Sequence, residues 1–202
     1  MKIIGLTGGS GAGKGEVCKI FLEFGIESID TDKISREVTR KDGECLRELV
    51  ENFSRDILNN DFQLDRKKLA DIAFSSKENH SKLNKITHKY ILDECEKIMI
   101  DMRNSGKKAV IIDAPLLFES GFDKNCDIVI SVIADYDKRI ERITKRDNIT
   151  KEQAEIRMKN QKSNEFFVEN SDYLIYNNTG CDEIYPQASK IYNIINSGIN
   201  KL

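Results

Sequence analysis

The stretch GLTGGSGAGKGEV, Gly5–Val17, decides the fold of this chain. The apolar run just before and into it, Lys2–Leu6, predicts a β-strand buried on both faces. After it, apolar residues recur at helical spacing from Val17 to Phe24, and Gly25 is placed to end that helix. The glycines in between therefore predict a tight connection from a buried strand into an amphipathic helix.

The connection has the spacing of a phosphate-binding loop, with Gly8 and then Gly13-Lys14 five residues on. Glycines let the backbone curl so that its N–H groups point inward as an anion nest, and the helix adds its positive end. Lys14 is expected to bridge the β- and γ-phosphates. The sequence thus predicts ATP as the ligand, with contacts from Gly8, Gly9, Gly11, Ala12, Gly13, Lys14, Gly15 and Glu16.

Gly15 stands where most such loops have a Ser or Thr whose hydroxyl touches Mg²⁺. The Glu16 carboxylate suits the first turn of a helix, so a capping role is favoured over metal binding. Asp113 ends the apolar run AVIID and is the candidate metal ligand, acting through water because Mg²⁺ keeps several waters. We therefore expect ATP with Mg²⁺ although one usual ligand is missing.

Composition excludes several classes of protein. The 202 residues carry 32 Lys and Arg against 34 Asp and Glu, so no global positive field attracts nucleic acid. No apolar stretch approaches the ~20 residues of a membrane helix, and no signal peptide is evident. The five cysteines lack metal-site spacing, which favours reduced, buried thiols. These observations predict a cytoplasmic protein with no nucleic-acid or membrane partner, as a monomer or a small homo-oligomer.

Alternating strands and helices predict an α/β domain. The predicted strands are Lys2–Leu6, Ser28–Asp30, Ala109–Asp113, Ile128–Ile133 and Tyr173–Tyr176. Between the second and third strands the chain lacks strand patterns, and LRELVENF, RKKLADIAF and a long segment near Lys82–Arg103 indicate a helical insertion.

A basic helix face follows the fourth predicted strand. Arg139, Arg142 and Arg146 are spaced i, i+3 and i+7, which places them on one face. Thr150 and Gln153 form a capping-box pattern, so a second helix starts there. The pair of helices is either a surface element with a solvated basic face or a lid whose arginines close over a polyphosphate.

The phosphate loop and seven later segments, which together extend from Ile3 to about Gly180, resemble the dephospho-CoA kinase family of P-loop kinases. The SIDTDKISREV and IDAPLLFESG segments are the most specific of them. The resembling segments after the loop are SIDTDKISREV, LDRKKLADIAF, THKYI, IDAPLLFESG, RITKRD, RMKNQ and SDYLIYNNTG.

The resemblance implies transfer of the γ-phosphate of ATP to the 3′-hydroxyl of the ribose of dephospho-CoA. It implies a three-layer α/β/α P-loop fold with a five-stranded parallel sheet, an acceptor-binding helical insertion and a small helical lid. The corresponding ranges are a core at about 1–31, 107–134 and 171–202, an insertion at about 32–106 and a lid at about 135–170.

Site residues follow from the same resemblance. Asp32 would orient the ribose hydroxyl and accept its proton, although from the pattern alone it could equally be a helix N-cap. Lys14 and Arg142 would act with it in catalysis, and Arg142, Arg146 and Asn177 would contact ATP. The residues implied on the acceptor side are Asp32, Arg36, His88, Pro115, Leu116, Leu117 and Glu119. Arg157 and Gln161 are further candidate contacts from the lid to the nucleotide.

The chain departs from the family pattern at three positions. Arg139 stands where the family often has Gln, Lys89 follows His88 where Pro is usual, and Tyr176 replaces an Asp. A structural hydrogen-bonding role for His88 is favoured over a catalytic one. The remaining alternatives are a nucleoside monophosphate kinase and a nucleotide-binding regulatory protein without turnover.

Overall fold

A computed structural model describes residues 1–197, and the backbone divides into two compact units. Unit 1 comprises Met1–Ile29 together with the chain from Gly106 onward, and unit 2 is Asp30–Ser105. Each unit has a hydrophobic core of its own.

A five-stranded parallel sheet in the order β2-β3-β1-β4-β5 organises unit 1. The strands are β1 Lys2–Thr7, β2 Glu27–Asp30, β3 Ala109–Asp113, β4 Ile128–Ile133 and β5 Tyr173–Tyr176. The register pairs Leu6 of the central strand with Asp113 of β3, and Thr7 with Ser131 of β4. The predicted sheet is confirmed, and the glycine loop leaves it at the carboxyl edge, where open α/β sheets bind ligands.

The helices account for most of the remaining chain. In chain order they are α1 Lys14–Glu23, α2 Thr31–Val38, α3 Glu44–Phe53, α4 Arg66–Ala73, α5 Lys77–Asn104, α6 Leu117–Ser120, α7 Tyr136–Asp147, α8 Lys151–Lys159, α9 Asn164–Asn170 and α10 Cys181–Asn196, with short 3₁₀ helices at Arg55–Ile57 and Phe122–Asn125. Within residues 1–197 none of them is both long enough and apolar enough to cross a bilayer.

Strand alternation places helices on both faces of the sheet. Ile4 and Leu6 of β1 are fully buried in the cluster that α1 and α10 complete. Gly5 faces the other way, where an added Cβ would lie 2.7 Å from Leu117 of α6 and 2.9 Å from Cys126. The central strand is therefore covered on both sides, as the predicted three-layer architecture requires.

The turn from α1 to β2 is set by Gly25. Its φ of +81° is left-handed, its N–H donates to the carbonyl of Leu22, and the N–H of Ile26 donates to that of Phe21, both at 2.9 Å. This Schellman pattern satisfies carbonyls at the helix end. The prediction that Gly25 ends the helix is confirmed.

Unit 2 is helical and packs around the long helix α5, which contacts α2, α3 and α4. Asp65 caps α4 and Ser76 caps α5, each by accepting hydrogen bonds from backbone N–H groups of its helix. One cluster of buried residues in this unit is formed by Cys45, Leu49, Phe53, Ile57, Leu69 and Ile86.

Candidate active site

The phosphate loop connects Thr7, the last residue of β1, to Lys14, the first residue of α1. Gly13 is the N-cap of α1 and has a left-handed backbone with a φ of +99°. The first N–H groups of a helix have no acceptor within the helix, so this end presents donors and partial positive charge. Lys14 Nζ donates to the carbonyl oxygen of Gly8 at 3.3 Å and so folds back over the loop. Both features suit a polyanion.

Two loop glycines are required by side chains that pack against the loop. A Cβ at Gly9 would overlap the guanidinium of Arg139, and a Cβ at Gly13 would overlap the side-chain amide of Asn177. At Gly15, in contrast, an added Cβ would meet no atom of residues 1–197 within 4 Å. The need for glycine is therefore a matter of close approach as well as of backbone conformation.

Three consecutive carbonyl oxygens of the loop each accept a hydrogen bond from a side chain outside it. The pairs are Arg139 Nε to Ser10 O at 2.9 Å, Arg142 Nη1 to Gly11 O at 3.2 Å, and Asn177 Nδ2 to Ala12 O at 2.7 Å. Arg142 also donates to the backbone oxygen of Asn177 at 2.9 Å and to its Oδ1 at 3.2 Å. We call Arg139, Arg142 and Asn177 the loop clamp, since together they hold the loop by its backbone carbonyl oxygens.

Arg139 is the most interior arginine of the clamp, with only 5% of its surface exposed. Its Nη2 donates to Gln161 Oε1 at 3.2 Å and its Nη1 to Asn164 Oδ1 at 3.3 Å. Gln161 in turn makes two hydrogen bonds with Ser10. The N–H of Ser10 donates to Gln161 Oε1, and Gln161 Nε2 donates to the Ser10 hydroxyl, both at 2.9 Å. Burial lowers the pKa of Arg139 from its ordinary value, but a guanidinium stays protonated.

Arg146, at the outer end of α7, has different partners. Its Nε and Nη2 donate to the two carboxylate oxygens of Asp147 at 2.7 and 2.8 Å. Arg157 of α8 donates to the same carboxylate. These hydrogen bonds, that of Arg146 first, lower the pKa of Asp147 to about 2. Of the three arginines on the predicted face, two bind the loop and the third binds a neighbouring carboxylate.

The candidate metal ligand Asp113 ends β3 beside Leu6 of β1, one residue before β1 itself ends. The thiol of Cys18 on α1 donates to Asp113 Oδ2 at 3.7 Å. Burial, and then the charge of Asp113, raise the pKa of Cys18 to about 12, so the thiol stays protonated and remains a donor. The carboxylate is thus held at the strand end next to the phosphate loop.

Glu16 lies in the first turn of α1, where its charge opposes the helix dipole favourably. Its Oε1 pairs with Lys19 Nζ at 2.9 Å, and its Oε2 accepts from Cys181 Sγ at 3.9 Å. Both contacts go to side chains and neither goes to a backbone N–H at the helix start, so the predicted capping role stays a prediction. The expectation of buried thiols is wrong for Cys181, which is exposed at the start of α10.

The acceptor-side residues of unit 1 follow β3. Leu116 is 55% exposed and Glu119 is exposed, whereas Leu117 is fully buried beneath β1. The carbonyl of Pro115 accepts from Thr7 Oγ1 at 3.4 Å. In this structure, therefore, Leu117 packs as a core residue, and Leu116 and Glu119 present their side chains to solvent.

Unit 2 carries the other predicted acceptor residues. Asp30 is the N-cap of α2 and accepts from the N–H of Lys33 at 3.0 Å. The helix is therefore capped by Asp30 and not by Asp32, which was the alternative role considered for Asp32. Asp32 lies exposed in the first turn of α2, and Arg36 lies exposed in its last turn. His88 is half-buried on α5, and burial, then the charge of His80, lower its pKa.

The sequence does not reveal Ser10, Asn164 and Cys18 as members of the site. Each takes part through partners far away in the chain, 129 residues for Ser10 with Arg139 and 95 for Cys18 with Asp113. Such contacts exist only once the sheet has formed. The one local signal is the pair of amide side chains close after α8, Gln161 in the connection to α9 and Asn164 as the first residue of α9.

Comparison with known proteins identifies the family of the chain. The family model described as dephospho-CoA kinase matches residues 2–183. A dephospho-CoA kinase of Aquifex aeolicus is 40% identical over 192 residues, 95% of this chain and 96% of the relative. That of Fusobacterium nucleatum is 38% identical over 188 residues, 93% and 95% of the two chains. The solved structure of dephospho-CoA kinase from Campylobacter jejuni has a TM-score of 0.70 and 27% identity, covering 98% of this chain and 99% of that one. The chain belongs to the dephospho-CoA kinase family.

Proposed function

We propose that this chain transfers the γ-phosphoryl group of ATP to the 3′-hydroxyl of the ribose of dephospho-CoA, giving coenzyme A and ADP. The observation that carries the reaction type is the clamped phosphate loop, with Lys14 folded over it at the carboxyl edge of the sheet. Membership of the family over residues 2–183 carries the identity of the acceptor.

On the nucleotide side the loop residues 8–16 hold the polyphosphate. Backbone N–H groups and the start of α1 supply fixed partial charges, and Lys14 supplies a mobile one between the β- and γ-phosphates. Arg142, which already contacts the loop, would stabilise charge on the transferring group. Asn177 and Arg146 complete the set of ATP contacts in this proposal.

On the acceptor side Asp32 is the group that orients the hydroxyl. As the 3′-oxygen bonds to the γ-phosphorus, the hydroxyl proton passes to the Asp32 carboxylate and ADP leaves with the electrons of the broken P–O bond. The exposed position of Asp32 in the first turn of α2 leaves the carboxylate accessible to a substrate. Arg36, His88, Pro115, Leu116 and Glu119 are the acceptor-binding residues of the proposal. Leu117 is not among them, because its side chain is fully buried beneath β1.

Mg²⁺ fits the residues present. Asp113 offers hard oxygen ligands at a strand end beside the loop, the chemistry that Mg²⁺ prefers, and would hold the ion through water. Bound there with ATP, the ion would neutralise charge on the β- and γ-phosphates. Gly15 supplies no hydroxyl, so the protein side of the site depends on Asp113.

The partners in this proposal are two small molecules, ATP and dephospho-CoA, without nucleic acid or membrane. We expect the protein to work in the cytoplasm as a monomer or a small homo-oligomer.

The test is ADP release with ATP and Mg²⁺, offering dephospho-CoA, AMP and adenosine in separate reactions. We expect turnover with dephospho-CoA alone. Asp32→Asn should lower kcat by about 100-fold or more while ADP still binds, because a positioned base contributes 10²–10⁴-fold. Asp93→Asn, an exposed carboxylate on α5, is the matched control for loss of one charge in unit 2.

Other outcomes would assign other functions. Turnover with AMP would identify a nucleoside monophosphate kinase and move the acceptor to a mononucleotide. Nucleotide binding without turnover on any acceptor would identify a regulatory binding protein and refute the proposal.

A further inference from the structure

We propose that Arg139 is a positioning residue for phosphoryl transfer: it fixes the shape of the phosphate loop through Ser10 and, with Gln161, makes the loop competent for nucleotide before nucleotide arrives. The inference rests on the proposed function only in naming the transferred group. Its geometry lies entirely within unit 1.

The clamp sets the direction of the loop's peptide groups. A trans peptide unit holds its C=O and its N–H on opposite sides. Arg139 holds the carbonyl of Ser10 toward the clamp, so the N–H of Gly11 in the same peptide group points away from the clamp. Asn177 holds the carbonyl of Ala12 in the same way, so the N–H of Gly13 also points away from the clamp. An anion nest consists of backbone N–H groups that point in the same direction, as these two do.

Two N–H groups of the loop already have acceptors within the protein. The N–H of Ala12 donates to the carbonyl of Gly9 at 3.1 Å, and that of Ser10 donates to Gln161. The N–H groups of Ser10 and Ala12 are therefore used to build the loop. Phosphate binding falls to the other donors of the loop, among them the N–H groups of Gly11 and Gly13, whose direction depends on the clamp.

Arg139 carries a buried positive charge. Its three acceptors, on Ser10, Gln161 and Asn164, are neutral oxygens, and among residues 1–197 no carboxylate pairs with it. Burying an arginine without an acidic partner is costly unless hydrogen bonds compensate. The planar guanidinium of Arg139 offsets this cost with three hydrogen bonds in fixed directions. The same fixed directions determine where Ser10 and Gln161 lie.

The experiment compares charge with geometry in the full-length chain. Calorimetry measures the Kd of ADP for wild type, Arg139→Leu and Arg139→Lys, without any acceptor, and steady-state kinetics then measures KM for ATP and kcat. We expect about a tenfold or greater rise in Kd and KM in both variants, since a lysine keeps the charge but cannot reach three acceptors. Lys138→Gln, an exposed neighbour on α7, is the matched control and should bind ADP as wild type does.

A merely structural arginine would lower the melting temperature and the active fraction but leave Kd and KM per folded molecule unchanged, and that result would overturn the proposal. So would normal ADP affinity in Arg139→Lys, because charge alone would then suffice. Should Arg139→Leu fail to fold, Gln161→Met decides: it removes the acceptor of the Ser10 N–H from a half-buried position. Unchanged affinity in that variant would also refute the positioning role.

Failure of this proposal is distinguishable from failure of the proposed function. The Kd of ADP is measured without dephospho-CoA, so it tests the loop whatever the acceptor is. Absence of turnover with dephospho-CoA would leave the comparison of affinities intact.

Discussion

The two ends of helix α7 carry the same kind of side chain and use it differently. At the inner end Arg139 and Arg142 donate to backbone oxygens of the phosphate loop. At the outer end Arg146 forms a two-pronged pair with Asp147, to which Arg157 also donates, and the Arg146 side chain is 60% exposed. Helical spacing places the arginines on one face of α7, but the groups that face each arginine determine its role.

The difference has an energetic side. Hydrogen bonds from a guanidinium to buried oxygens are worth roughly 1.5–3 kcal/mol each, whereas exposed ion pairs contribute about 0–1 kcal/mol. The inner end should therefore control binding and catalysis strongly, and the outer end should influence stability only weakly.

Removing the second clamp arginine should have the largest effect. Arg142→Met eliminates three hydrogen bonds, to Gly11 O and to two oxygens of Asn177, as well as the proposed contact with the transferring phosphoryl group. We expect kcat/KM for ATP to fall by about 100-fold or more. Lys145→Met, on the same helix and exposed, controls for loss of a positive charge. Equal losses in the two variants would show that net charge, rather than contact with the loop, governs activity.

The inner end can also be disturbed from the side of the loop. Gly9→Ala places a Cβ in the space of the Arg139 guanidinium, and we expect the free energy of unfolding to drop by about 2 kcal/mol. Gly15→Ala, where a Cβ meets no described atom within 4 Å, should not lower stability. Denaturant titration measures both.

A double-variant cycle sharpens this prediction. In an Arg139→Ala background the guanidinium is gone, so Gly9→Ala should cost much less than it does in wild type. Strict additivity of the two changes would mean that the cost of the new methyl group comes from the backbone and not from Arg139.

The smallest effect is expected at the outer end, as a function of pH. The folded-state pKa of Asp147, about 2, lies below its ordinary value of 3.8. The stabilisation from its arginine partners is therefore fully present above about pH 4 and is lost as the pH falls toward 2. Melting temperatures of wild type and Asp147→Asn should differ slightly at pH 6 and low salt and converge near pH 2. A difference in melting temperature that grows as the pH falls would contradict this assignment. Added salt should reduce the difference seen at pH 6.

The sheet was predictable because its signal is local. Three of the strands begin and end where the apolar runs do, and the other two, Lys2–Thr7 and Glu27–Asp30, are each one residue longer than predicted. Buried parallel strands need apolar side chains on both faces, and few other segments of this charged chain have them. The capping box of Thr150 and Gln153 is likewise confirmed, since both of its hydrogen bonds are present.

Helices without an apolar stripe were harder to predict. The long helix of unit 2 starts at Lys77, five residues before the predicted Lys82, because its first turn is polar and is defined by the Ser76 cap. Helix α9, Asn164–Asn170, was not predicted. Its start depends on Ser163, whose hydroxyl accepts from the N–H of Phe166 at 3.3 Å, a signal too short to stand out.

At the candidate site, the sequence predicted residue types better than contacts. The glycine pattern and Lys14 predicted the phosphate loop, because that motif is contiguous. The partners of Arg139 could not be predicted, since Ser10 and Gln161 meet it only through the order of strands in the sheet. The proposed role of Asp32 remains a prediction that the ADP-release assay decides, and the proposed contact of Arg146 with ATP remains a prediction.

Ser10 has its carbonyl held by Arg139 and its N–H and hydroxyl held by Gln161. The N–H belongs to the peptide group before Ser10 and the carbonyl to the peptide group after it, so neither group can rotate without breaking a hydrogen bond. The N–H of Ser10 should therefore exchange slowly with deuterium from the solvent even when no nucleotide is bound. The on-rate for nucleotide should then be limited by encounter and orientation and not by a slow folding of the loop. The entropy of ordering this loop is lost when the chain folds, and each cycle of catalysis begins with the loop already in shape.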